Sequence, residues 1–128
     1  MNNTFKKGLK IGLFVDAGKK QHTVNTPGAL SGVLCQLDPE SGQWKPIQFI
    51  SRVLSDCETR FSQTELESLS ILYSCRRLDF FLRGAIGIQI FTDHQPLVVM
   101  YNKQLSTTPP RILRHILGIQ ELDYKVIL

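Results

Sequence analysis

The sequence predicts an α/β fold in which three antiparallel strands lead into a long helix and a later strand returns beside the first. Three observations carry this. Segments 11–16, 31–37 and 44–50 have strand character and are separated by turn signals. Ser62-Gln63-Thr64-Glu65 fits a capping box, the Ser/Thr-x-x-Glu arrangement that satisfies orphan amide donors where a helix begins. After that helix, Ile86, Ile88 and Ile90 alternate toward Asp93, and a strand reached through a crossover helix can lie parallel to an earlier one.

Each element follows in order. Residues 1–10 form a polar, basic lead-in with Lys6, Lys7 and Lys10. In the first strand Ile11, Leu13 and Val15 share one face, and Gly12, Phe14 and Asp16 the other. Residues 17–29 read as a long polar loop with Lys19, Lys20, His22 and a Pro27-Gly28 turn signal. The second strand is 31–37, the segment 38–42 is a hairpin turn, and Trp44–Ile50 returns as the third strand, with Trp44 as a packing residue. Residues 97–101 suggest a short helix. Pro110 suits the first turn of another, in which Ile112, Leu113, Ile116 and Leu117 share a face, and 123–128 alternate into a last strand.

The central helix, expected to run to Arg83-Gly84, holds the decisive detail. At about 100° per residue, Ile71, Cys75, Leu78 and Leu82 form one stripe, with Glu67 roughly 40° from its centre and Glu65 roughly 120° away. Glu67 is therefore aimed at the sheet, and Glu65 at water. Leu66, Leu69, Tyr73 and Phe80 form a second apolar set, which predicts a helix buried on two sides. A carboxylate aimed inward is costly unless it is paired or holds a metal.

Composition narrows the function classes. The 128 residues suit one domain, and 42% hydrophobic with 20% charged residues suits a soluble globular one. No run reaches the roughly 18 apolar residues of a membrane span, and no signal-peptide pattern precedes Lys6. Cys35, Cys57 and Cys75 have no paired spacing, so free thiols and a reducing, cytoplasmic location are expected. No two cysteines or histidines stand at zinc-ligand spacing. The net charge of +4 favours an anionic partner.

Phe14-Val15-Asp16 and Phe91-Thr92-Asp93 are the same device used twice, an apolar strand ending in aspartate. With the two strands parallel, both aspartates reach one sheet edge, where sites in α/β sheets form. Glu67 completes a triangle. Three converging carboxylates repel one another unless hard divalent ions lie between them. Mg²⁺ takes a few carboxylates plus water and phosphate oxygens, and a pair of such ions clamps the attacking water and the leaving oxygen of a phosphodiester.

The chain resembles the ribonuclease H domain of reverse transcriptases from gypsy-like long-terminal-repeat retrotransposons. The likeness rests on ordered blocks: LFVDA at 13–17, VLCQ at 33–36, PIQFISRVLSDCETRFSQTELESLSILYS at 46–74, IQIFTDHQPL at 88–97 and RILRHILGIQELDYKVI at 111–127. The resemblance implies a ribonuclease H-like fold: a five-stranded mixed sheet, strands 1–3 antiparallel, strands 4 and 5 parallel to strand 1, with helices on both faces. It implies that Asp16, Glu67 (not Glu65) and Asp93 are catalytic and hold two Mg²⁺ or Mn²⁺ ions, and that the RNA strand of an RNA–DNA hybrid is cut. The implied partners are that hybrid and the polymerase domain of the same polyprotein, in virus-like particles as well as free cytoplasm. Lys19, Lys20, Arg111 and Arg114 are candidate phosphate contacts. His94 beside Asp93 reads as a loop or capping histidine more readily than as a proton carrier.

Some features depart from the family pattern. Gly18 stands where serine is usual, Ser31 where glycine is common, and the loop before Gly32 is longer. The resemblance also implies a fourth acid beyond the last strand. None follows Asp123 before Leu128, so the domain at 11–128 is expected to be truncated at its C-terminus. This leaves a second function class open, a weakened or inactive module that binds hybrid and supports a reverse transcriptase.

Overall fold

The computed structural model describes residues 4–19, 28–103 and 106–128. Lys20, His22 and most of the expected long loop lie outside these.

Five strands form one mixed sheet in the order β3-β2-β1-β4-β5: β1 (Ile11–Gly18), β2 (Ala29–Leu37), β3 (Trp44–Val53), β4 (Ile88–Phe91) and β5 (Tyr124–Ile127). The β1–β2 and β2–β3 pairs are antiparallel, and β1–β4 and β4–β5 are parallel. The topology is the expected one. β1, β2 and β3 are longer than their sequence patterns suggested, because ladder pairing continues through polar residues such as Ser51 and Arg52. β4 is shorter. Gly87 adopts φ +69° and gives its N–H to the Asp123 carboxylate at 2.8 Å, so the chain turns there and Ile86 is left exposed.

The helices are α1 (Gln63–Arg77), α2 (Asp79–Leu82), α3 (Gln95–Lys103) and α4 (Pro110–Leu117). The Ser62 capping box is present in both directions. The helical segment is not continuous to Gly84. It breaks at Leu78, whose ψ of 16° leaves the helical range, and restarts as α2. Gly84 then supplies the left-handed residue at its end, with φ +82°. Phe80, assigned to a buried second stripe, is turned outward by this break, whereas Leu66 is fully buried with Ala17, Leu30 and Leu54.

Among the described residues all four helices contribute to a core on one face of the sheet, not on both. There Leu13, Ile88, Ile90 and Val126 meet Ile71, Leu78, Leu82, Leu97, Ile112 and Ile116. The second face carries Phe14 stacked on Phe91 at 4.5 Å, with Trp44 edge-on to both rings. Within the helical layer Ser68 Oγ bonds both Tyr101 Oη (2.6 Å) and His115 Nδ1 (2.8 Å). This buried network joins α1, α3 and α4 one residue after Glu67.

Candidate active site

β1 and β4 run side by side in register from Gly12–Gln89 to Phe14–Phe91. Both therefore carry their aspartates to one sheet edge, Asp16 two residues beyond Phe14 and Asp93 two beyond Phe91. Both side chains are exposed. Glu67, from the second turn of α1, comes up beneath them and is 2% exposed. One carboxylate oxygen from each of the three lies within 4.8 Å of the others. The structure brings together the three acids picked out by spacing and helical face.

Glu67 is held asymmetrically. Its Oε1 accepts the Ala17 N–H at 3.2 Å and the Gln63 Nε2–H at 3.1 Å, while Oε2 is buried with no hydrogen-bond partner among the described residues. Burial, then the charges of Asp16 and Asp93, push its carboxyl up to about 7, against the lowering pull of the two N–H donors. A buried anion with an orphan oxygen, facing two exposed carboxylates, is an arrangement that a hard divalent cation resolves. Asp16, Glu67 and Asp93 fit such an ion through oxygen ligands alone.

The other candidates scatter. Lys19 is exposed just past the end of β1, and Arg114 is exposed on α4. Arg111 is engaged within the domain. Its guanidinium lies 4.0 Å over the Phe61 ring and pairs with Glu65 at 2.7 Å. Glu65, expected to face water, thus closes the capping box and ties α1 to α4. His94 bonds Thr64 Oγ1 through Nε2 at 2.7 Å, a contact that braces its loop against α1. Sequence reasoning passed over Gln63 and Thr64, although they stand four and three residues before Glu67, the spacings that put side chains on one helical face.

Residues 20–122 match the family described as the RNase H-like domain found in reverse transcriptase. The chain is 39% identical over 79 residues to the retrovirus-related Pol polyprotein from transposon gypsy of Drosophila melanogaster, a stretch covering 62% of this chain and 7% of that polyprotein. Among solved structures, RNase H1 from the archaeon Halobacterium salinarum superposes with a TM-score of 0.66 at 15% identity, over 92% of this chain and 83% of that one. LC11-RNase H1, solved in complex with an RNA/DNA hybrid, gives 0.64 at 11% identity, over 92% and 83%. At those identities the structural likeness concerns the fold. The match over most of the chain and the sheet order agree, and the chain belongs to the RNase H-like domain family of reverse transcriptases, of the gypsy-like retrotransposon kind.

Proposed function

We propose that this domain is a metal-dependent endonuclease that hydrolyses the RNA strand of RNA–DNA hybrids during reverse transcription of a retroelement. The observation that carries the reading is the convergence of Asp16, Glu67 and Asp93, with Glu67 Oε2 buried and unpartnered. Family membership supports nuclease chemistry, and the hybrid bound by LC11-RNase H1 supports the substrate class. The gypsy polyprotein supports a polymerase domain as the neighbouring partner.

Asp16, Glu67 and Asp93 would hold two Mg²⁺ or Mn²⁺ ions, which supply Lewis-acid stabilisation of phosphate charge and a more acidic bound water. The chain's own groups set the conditions for that. Asp16 and Asp93 present their carboxylates on the open side of the sheet edge, where a phosphodiester can approach. Glu67 supplies a fixed, dehydrated negative charge from below, oriented by Ala17 and Gln63. Lys19 and Arg114, both exposed, offer positive charge to phosphates along the strand. In the overall reaction a water oxygen bonds to phosphorus, one P–O ester bond breaks, and the departing oxygen takes up a proton.

The test is cleavage of a hybrid labelled on each strand, with Mg²⁺ or Mn²⁺, beside Asp16→Asn. The expected result is metal-dependent loss of the RNA strand alone, abolished in the variant. A folded protein that binds the hybrid and leaves it intact with either ion would instead be a hybrid-binding module.

A further inference from the structure

Among the described residues, the edge of β1 beyond Phe14 lacks a strand. β4 pairs with β1 only from Gly12 to Phe14, yet β1 continues to Gly18. On its other side β1 is laddered to the end, with Ala17 opposite Leu30 and Gly18 opposite Ala29. A buried backbone amide without a partner is costly, so the open edge at Ala17 needs other bonds.

Side chains of α1 provide them. Ala17 N–H donates to Glu67 Oε1 at 3.2 Å, and Gln63 Nε2 donates to Ala17 O at 2.9 Å and to Glu67 Oε1 at 3.1 Å. These bonds close a ring around Ala17, the residue next to Asp16. One position along the helix, Thr64 Oγ1 bonds His94 Nε2 at 2.7 Å, and His94 is the residue next to Asp93. His94 is anchored in turn by its own N–H to Thr92 Oγ1 at 3.2 Å. Two consecutive side chains in the first turn thus reach the two segments that carry the aspartates. The helix they belong to carries the glutamate.

The ring also divides the Glu67 carboxylate. Oε1 is occupied by two donors, and Oε2 is left without any.

We propose that Gln63 and Thr64 are positioning residues that set the spacing of Asp16, Glu67 and Asp93, and that Gln63 commits Glu67 to ligation through Oε2 alone. This rests on the reading of the three acids as a metal centre. Helix stability in the same turn is served separately, by the Ser62–Glu65 capping box and the Glu65–Arg111 pair, neither of which touches an aspartate segment.

Three variants of the whole chain, Gln63→Leu, Thr64→Val and Thr64→Ser, test it with two readouts. One is hydrogen exchange of the Ala17 amide by NMR without metal. The other is Mn²⁺ affinity from the paramagnetic resonance of the free ion. Gln63→Leu removes the donors to Ala17 O and Glu67 Oε1 and so the brace on the Ala17 N–H···Glu67 bond. It is expected to speed Ala17 exchange about tenfold, as that bond opens more readily, and to weaken Mn²⁺ binding about tenfold or more. Thr64→Val is expected to weaken Mn²⁺ by a similar factor with Ala17 exchange unchanged, and Thr64→Ser, which keeps the hydroxyl, to bind like the wild type. Mn²⁺ affinities near wild type in both Gln63→Leu and Thr64→Val would overturn the proposal. Ala17 exchange unaltered in Gln63→Leu, in a chain that binds Mn²⁺, would overturn the Gln63 bracket alone. No Mn²⁺ bound by the wild type would overturn the metal-centre reading and the ligation assignment with it.

Discussion

Glu67 carries its charge where water barely reaches, and the consequence is legible in pH. Its carboxyl lies near 7 when folded against an ordinary 4.5, so the folded state holds an extra proton between those values. The stability this represents is present below pH 4.5 and lost as pH rises through 7, roughly 3 kcal/mol in all. His115 has the opposite slope. Burial, then Arg111 and Arg114, push its imidazole down to about 4 from 6.5, so its contribution is present above 6.5 and lost as pH falls through 4. The two windows overlap with opposite signs and offset each other from about pH 6.5 to 4.5. Glu67→Gln removes one side of this balance. In metal-free buffer, urea unfolding is expected to show the variant more stable than wild type at pH 8, by up to about 3 kcal/mol, with a steeper decline into acid. Mg²⁺ is expected to stabilise the wild type and not the variant. A variant no more stable than wild type at pH 8 would show that Glu67 is not held at an electrostatic cost. Glu67 was legible in the sequence because helical spacing alone separates it from Glu65. The hydrogen bonds around it were not, since they depend on where β4 stops.

At the scale of elements, the seating of α1 on the sheet depends on a contact without a side chain on one partner. A Cβ at Gly32 on β2 would lie 2.3 Å from Ser74 Oγ and 3.0 Å from Ser74 Cβ on α1. Gly32→Ala is therefore expected to destabilise by about 1–3 kcal/mol, the usual range for overpacking, measured by urea unfolding. Adding Ser74→Gly should recover part of that loss, because the clash is with this one side chain. No recovery would place the strain elsewhere. The start of α1 was readable because a capping box is local chemistry. Its break at Leu78 was not, since nothing in the run from Arg77 to Leu82 forbids a helix, and only packing turns Phe80 outward. The contacts of Arg111 were hidden for a similar reason. An arginine on an amphipathic helix reads as free until Phe61 and Glu65, some fifty residues earlier, are found beneath it.

Across the whole molecule, alternation, turn signals and the crossover rule made the meander and the parallel return of β4 beside β1 readable, whereas the place of β5 in the mixed sheet followed from the family resemblance. The gathering of helices on one face was not, because periodicity says which side of a helix is apolar and not which side of the sheet it covers. On the proposed function, hybrid binding is expected to be salt-dependent, given the net charge of +4. If Lys19 and Arg114 each neutralise one phosphate, raising salt from 50 to 200 mM should weaken binding on the order of tenfold, and Arg114→Ala should lower the log–log slope by about one. An unchanged slope would remove Arg114 from the interface. The central claim is that three carboxylates at one sheet edge form a divalent-cation centre. Diffraction at the manganese absorption edge, from crystals grown with Mn²⁺, tests it most directly. The expected result is anomalous density among Asp16, Glu67 and Asp93, with Glu67 Oε2 roughly 2.1 Å from an ion, the distance of an octahedral oxygen site. Ordered carboxylates with no such density between them would contradict it.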